Sequence, residues 1–167
     1  MKALSIAMLA AATLLAGCQR EGDNLVELTG RVFVFNYRVA VATYVVTLNK
    51  KMAIPEGTVA IAEFENPAGG APLVTNEKIY PFWDKITLQS PAVHCVKKDK
   101  PYAVNVRLVD TSGKTLQSLK TEVISSLDQS VMPGKPLVIG PFYTKNPEVF
   151  KPDGTVDYDS ADTCPST

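Results

Sequence analysis

The chain is poor in the residues from which most active sites are built. It has one histidine (His94), one tryptophan (Trp83) and three cysteines in 167 residues. A single imidazole excludes metal centres that need several, and it leaves at most one candidate general base of that type. No serine sits in a G-x-S-x-G elbow, and there is neither a phosphate-binding Gly-rich loop nor a dinucleotide fingerprint. Ser90 and Ser112 stand in turn-like contexts, where local hydrogen bonding accounts for them. Charge of one sign is lacking too. Seventeen basic groups balance seventeen acidic ones, which removes the electrostatic case for nucleic acid. Lys97, Lys98 and Lys100 are interrupted by Asp99, so no basic run points to an electrostatic membrane contact. There is no internal repeat and no apolar run of the roughly 20 residues a membrane-spanning helix requires.

What is present begins at the amino terminus. Lys2 is followed by an uncharged stretch, Ala3 to Leu15, and then by Leu15-Ala16-Gly17-Cys18. Charge, apolar run and small residues occur in the order of a secretory signal. The ending resembles the bacterial lipobox. That resemblance implies cleavage before Cys18, with diacylglycerol on its thiol and an acyl chain on its new amino group. The absence of Asp after the cysteine (Gln19 stands there) implies outer-membrane sorting, facing the periplasm, in a Gram-negative host. The expected division is a signal peptide at 1–17, a lipidated tether at 18–27, a folded domain at 28–145 and an irregular acidic tail at 146–167. Gln19 to Glu27 is polar and spans at most about 30 Å. Removing residues 1–17 from 167 leaves 150, a usual size for one domain.

Committing Cys18 to lipid leaves Cys95 and Cys164 as an even pair in an oxidising compartment, so a disulfide between them is expected. It closes a loop of about 70 residues and restricts the unfolded chain by about 3–4 kcal/mol. The competing reading is a reactive Cys95 thiol activated by His94. Neighbours on a strand point to opposite faces, which disfavours it.

The body predicts strands separated by turns. Leu28 to Phe35 and Val39 to Leu48 are close to continuously apolar, as in strands covered on both faces. Ile54-Pro55-Glu56-Gly57 is a turn, Thr58 to Phe64 a strand, and Asn66-Pro67-Ala68-Gly69-Gly70 a break. Lys78 to Gln89 reads as a strand whose Pro81 marks an edge or bulge. Tyr102, Val104, Val106 and Leu108 alternate with Asn105 and Arg107, the pattern of a half-buried strand. Asp110 to Gly113 is a hairpin turn, and Lys114 to Ile124 the returning strand. Leu116, Leu119 and Val123 also fit one face of a helix, but the tight turn before them favours antiparallel pairing. Met132 to Pro136 turns into a short last strand at Leu137-Val138-Ile139. The expectation is an all-β protein, an antiparallel β-sandwich of about seven strands.

Two further features have a chemical and a structural reading each, and one loop is a candidate for contact. Asp153, Asp157, Asp159 and Asp162 could ligate a hard cation such as calcium. They miss the EF-hand spacing, and a solvated acidic tail is the simpler account. Tyr80, Phe82 and Trp83, and likewise Phe142, Tyr143 and Phe150, could form exposed protein-binding patches. Core and edge packing explains them more simply. The Asn66–Pro72 loop is a candidate for entering another protein's cleft.

The order of these segments resembles the small β-sandwich lipoproteins of the YbaY/YscW-like family. The likeness rests on Thr29-Gly30-Arg31-Val32, Met52-Ala53-Ile54-Pro55-Glu56-Gly57-Thr58-Val59, Ala68-Gly69-Gly70-Ala71-Pro72 and Tyr102 through Lys120. The stretch from Gly30 to Pro55 is longer than that pattern, and the cysteine pair and acidic tail stand outside it. The resemblance implies a β-sandwich. For YscW-type members it also implies a pilotin, which escorts a secretin ring to the outer membrane. The expected function is therefore a non-enzymatic, lipid-anchored envelope protein that binds another envelope protein. The alternative is an inhibitor or ligand-binding lipoprotein acting on a periplasmic hydrolase.

Overall fold

A computed structural model of the protein describes residues 24–158 and Cys164. Cys18, the expected signal peptide, most of the expected tether, Asp159 and Asp162 lie outside the described residues. The fold is all-β. Strands β1 (Val26–Asn36), β2 (Val41–Lys50) and β5 (Lys85–Gln89) form one sheet in the order β1-β2-β5. Strands β3 (Val59–Phe64), β4 (Leu73–Lys78), β6 (Pro101–Val109) and β7 (Thr115–Ile124) form the other, in the order β4-β3-β6-β7. All pairings in both sheets are antiparallel. These seven strands make the two layers of a β-sandwich, and a small hairpin of β8 (Val138–Ile139) and β9 (Thr144–Lys145) follows.

Alternation builds the core. Tyr44, Val46 and Leu48 of β2 and Ile86 and Leu88 of β5 face Phe64 of β3 and Tyr102, Val104, Val106 and Leu108 of β6, all buried. Ala60 and Ala62 leave room for the rings opposite, and Phe33, Tyr44, Phe64 and Tyr102 pack at centroid distances of 4.3 to 6.0 Å. The β6 alternation is the one expected from sequence. Lys114 to Ile124 is a strand and not a helix, because the Asp110–Lys114 turn returns the chain into antiparallel register with β6.

Several expectations need correction, and one strand was not expected. Leu28 to Phe35 is not covered on both faces: β1 is an edge strand, and Val32 and Val34 are 50% and 44% exposed. Lys78 to Gln89 is not one strand. Residues 79–84 form a turn closed by Trp83 N–H donating to Tyr80 C=O (3.0 Å), since Pro81 cannot donate to a ladder. Leu73–Lys78 pairs with β3 as β4, a strand that its mixed polar composition did not signal. In addition, β1 takes in Val26 and Glu27 at the end of the expected tether.

The two sheets are joined along one side by side chains. The buried Gln117 amide of β7 accepts from Val26 N–H (3.0 Å) and donates to Val26 C=O (2.8 Å), pairing with the start of β1 as another strand would. Arg31 donates to the Thr121 hydroxyl farther along (2.9 Å). On the opposite side the Thr75 hydroxyl donates to Gln89 C=O (2.9 Å).

Candidate functional site

The sandwich has two ends with different construction. One end holds the chain entering β1, the β2–β3 connection, the β4–β5 turn and the β6–β7 turn. We call it the root end, because residues 24–25 lead from it toward Cys18. The far end holds the β1–β2 turn, the β3–β4 loop, the long β5–β6 connection, the β8–β9 hairpin and the disulfide.

At the far end, Cys95 and Cys164 are bonded, with Cα atoms 5.5 Å apart. Cys95 lies outside the strands at φ 65°, in the left-handed region that an L-residue enters only when its surroundings hold it there. Three contacts do so. The buried Gln129 side chain accepts from Val96 N–H and donates to Val93 C=O, both at 3.0 Å. The Tyr102 hydroxyl accepts from Lys97 N–H (2.8 Å). The disulfide supplies the third. His94 points to solvent, and Cys95 has no free thiol, so the two residues do not form a nucleophile and base.

A cleft of about 340 Å³ opens beside the bridge, lined by Glu65, Asn66, Pro67, Cys95, Lys97 and Lys100 among others. Its Glu65 carboxylate accepts from Ala103 N–H (2.9 Å), and the Lys100 ammonium lies 5.0 Å from the Tyr102 ring centroid. Burial pushes the phenols of Tyr44 and Tyr102 up from their ordinary range. Tyr44 donates to Glu65 C=O at 2.8 Å. These groups hold backbone in place, and across the cleft the Lys100 ammonium pairs with the Glu65 carboxylate at 4.0 Å.

A second cleft, of about 310 Å³, is lined by Tyr37, Ser130, Val131, Met132, Pro133, Leu137 and Tyr158. Near it the β8–β9 hairpin exposes Phe142 (88%) and Tyr143 (60%), and Arg38 of the β1–β2 turn lies 5.9 Å from the Tyr143 ring. Leu137 and Val138 N–H both donate to Arg38 C=O, which fixes the hairpin against that turn.

The root end is built from tight turns. Lys51 and Met52 N–H donate to Leu25 C=O, and Lys50 N–H donates to Asp84 C=O. The three rings of Tyr80, Phe82 and Trp83 touch at 5.0 to 6.5 Å, and Phe82 is 77% exposed. Only Trp83 packs against the core, so core packing does not account for this cluster or for Phe142 and Tyr143. Lysines that are scattered in sequence stand together here: Lys50 and Lys51 from the end of β2, Lys78 from β4 and Lys85 from β5. Glu27, Glu56 and Asp84 offset them at the same end.

The remaining candidates are structural. Ser90 accepts from Tyr44 N–H (3.0 Å) and donates to Pro91 C=O, while Ser112 donates to Asp110 in its turn. Asp153 is held below the usual carboxylate range by the Thr155 hydroxyl and N–H, and Asp157 pairs with Lys135 at 3.3 Å. Among the described residues no group of three or more His, Cys, Asp or Glu side chains gathers. Nor is any helix among them long and apolar enough to cross a membrane. The two glutamine clamps escaped sequence reasoning. The only available signal was an amide at an otherwise inward-facing position, Gln117, two residues before Leu119. No protein-family model and no curated protein matches the chain.

Proposed function

We propose that the protein is an envelope lipoprotein, held at the membrane by diacylglycerol and an acyl chain on Cys18, that binds another envelope protein through its far end. It acts as a scaffold and not as an enzyme. In a Gram-negative cell it sits on the periplasmic face of the outer membrane, as Gln19 after the cysteine implies. The observation that carries this reading is the apolar surface at the far end: Phe142 and Tyr143 stand exposed beside the Tyr37–Tyr158 cleft. Exposed aromatics around a recess are the residue types that dominate protein–protein contact energy. The neighbouring edge strand β1, with Val32 and Val34 exposed, also suits a partner that adds a strand. In its most specific form, by resemblance to YscW-type lipoproteins, the role is that of a pilotin or assembly factor.

Two measurements test it. Pull-down from envelope extracts recovers a stoichiometric membrane protein with the wild type. The Phe142→Ser/Tyr143→Ser variant loses it if the far end is the binding surface, and equal recovery overturns the proposal. Cys18→Ser yields an uncleaved or soluble chain; continued lipid labelling of that variant refutes the anchor.

The exposed Gly69 to Pro72 segment at the β3–β4 loop, on the rim of the cleft by the disulfide, supports a second reading as an inhibitor of a periplasmic hydrolase. Recovery of a soluble hydrolase, lost on shortening that loop, favours it over the scaffold.

A further inference from the structure

The root end carries a feature that the proposed partner site does not use. Apolar side chains in a tight turn normally fold back on the core, yet the β4–β5 turn presents Phe82 and Tyr80 outward on top of the Trp83 ring. The turn is rigid. Trp83 N–H closes it onto Tyr80 C=O, the Lys50 ammonium donates to Pro81 C=O (2.6 Å), and the Lys78 ammonium lies 5.5 Å from the Tyr80 ring. Met52 stands exposed beside Leu25, whose carbonyl accepts its N–H.

The chain that leaves Leu25 decides what faces this surface. Residues 18–24 reach at most about 25 Å when extended. A lipid on Cys18 therefore keeps the root end, and not the far end, toward the bilayer. Tyrosine and tryptophan prefer the headgroup level, where the ring is apolar and the edge is wet. Lysine stems lie along such rings while their ammonium groups reach phosphates. The lysines here are nearly balanced by Glu27, Glu56 and Asp84, so electrostatic attraction is not the main contribution.

We propose that the Tyr80–Trp83 turn is a second membrane contact that enters the phospholipid headgroup layer and fixes the sandwich upright on the bilayer. This rests on the reading of Cys18 as lipidated. The anchor makes the contact intramolecular, so a weak affinity suffices to hold one orientation. The far end is then aimed away from the membrane.

Trp83, the only tryptophan in the chain, reports on the contact directly. The full-length processed protein is reconstituted into phosphatidylethanolamine/phosphatidylglycerol vesicles containing lipid spin-labelled near the headgroup. Flotation reads the anchor and quenching of Trp83 emission reads the turn. Flotation with quenching is expected. Phe82→Ser should float equally while its docked-to-undocked ratio falls about tenfold, seen as lost quenching, and Phe82→Leu should keep most of it. Raising salt to 0.5 M should change wild-type quenching little. Flotation without quenching overturns the contact and leaves the anchor standing. Quenching that is unchanged in Phe82→Ser also overturns it, since proximity alone would then explain the signal. Failure to float and failure to quench together overturn both readings. Phe82 is mostly solvent-exposed, so circular dichroism of the variants should match the wild type.

Discussion

The two ends of the sandwich solve the same problem, ending seven strands, by different means. At the root end the turns are short and mostly close on themselves with backbone hydrogen bonds, as at Asp110–Lys114 and Tyr80–Trp83. At the far end the β5–β6 connection runs from residue 90 to 100 with little regular pairing. A few scattered backbone bonds hold it, together with the Gln129 amide, the Tyr102 hydroxyl and the bond to Cys164. A local turn carries its own stability. An irregular segment held from afar is only as stable as its clamps, and surfaces that bind partners commonly sit on such segments.

The largest expected effect tests whether the far end depends on its cross-link. Replacing both Cys95 and Cys164 with Ala removes a bridge that spans 69 residues. Stability should fall by about 4 kcal/mol in urea unfolding. A loss below about 1 kcal/mol would mean that the far end stands without the bridge.

Next come the two glutamines, which allow a direct contrast. Gln129→Leu strands Val93 C=O and Val96 N–H, and Gln117→Leu strands Val26 N–H and C=O. Each buried group left unpaired costs about 1–3 kcal/mol. Val26 is held by its ladder to β2 as well, whereas the connection around Val93 and Val96 has only an isolated bridge between Val93 and Ala42. Gln129→Leu should therefore be the more damaging in thermal or urea unfolding. The reverse order would show that the sheet-to-sheet joint, and not the far end, is the weaker region.

Smaller effects are expected from the phenols. Tyr102→Phe and Tyr44→Phe each remove one hydrogen bond at the far end, about 1 kcal/mol apiece. Both pKa values are raised in the fold, chiefly by burial. Their stabilising contribution is thus complete below the ordinary tyrosine pKa near 10 and is lost as pH rises above it. Stability measured from pH 8 to 11 should decline, and the double Phe variant should decline less.

The smallest effect lies at low pH and compares the ends again. Asp110, at the root end, is held below its ordinary range by the Ser112 hydroxyl and the Lys114 N–H. Asp128, at the far end, is held down by Ser130 N–H. Both contributions are present above the ordinary carboxylate pKa and disappear as pH falls below about 4. Asp110→Asn and Asp128→Asn should each flatten the acid limb of the stability curve slightly.

Much of the fold was legible in the chain. The alternation from Tyr102 to Leu108 and the turn at Asp110–Gly113 specify a half-buried strand and its return, because both signals are local. The β1 error has a physical cause. Val32, Phe33, Val34 and Phe35 are apolar whether a strand is central or at an edge, and only the neighbouring strands decide which. Strand β4 was invisible because Thr75, Asn76, Glu77 and Lys78 pair through backbone groups that every residue carries. The cysteine pair was inferred from parity and compartment, and the bond is present.

Sequence by itself determined the alternation of β6, the turns at Pro55–Gly57 and Asp110–Gly113, the even cysteine pair and the lipobox pattern that makes Cys18 the expected anchor. Each depends on neighbours a few residues apart. Tertiary structure alone decided which glutamines act as clamps, that Cys95 takes a left-handed conformation, and that Lys50, Lys78, Lys85 and the Tyr80–Trp83 rings meet at one end of the sandwich. Those meetings depend on the register of strands far apart in the chain, and register is set by the packing of the whole sandwich.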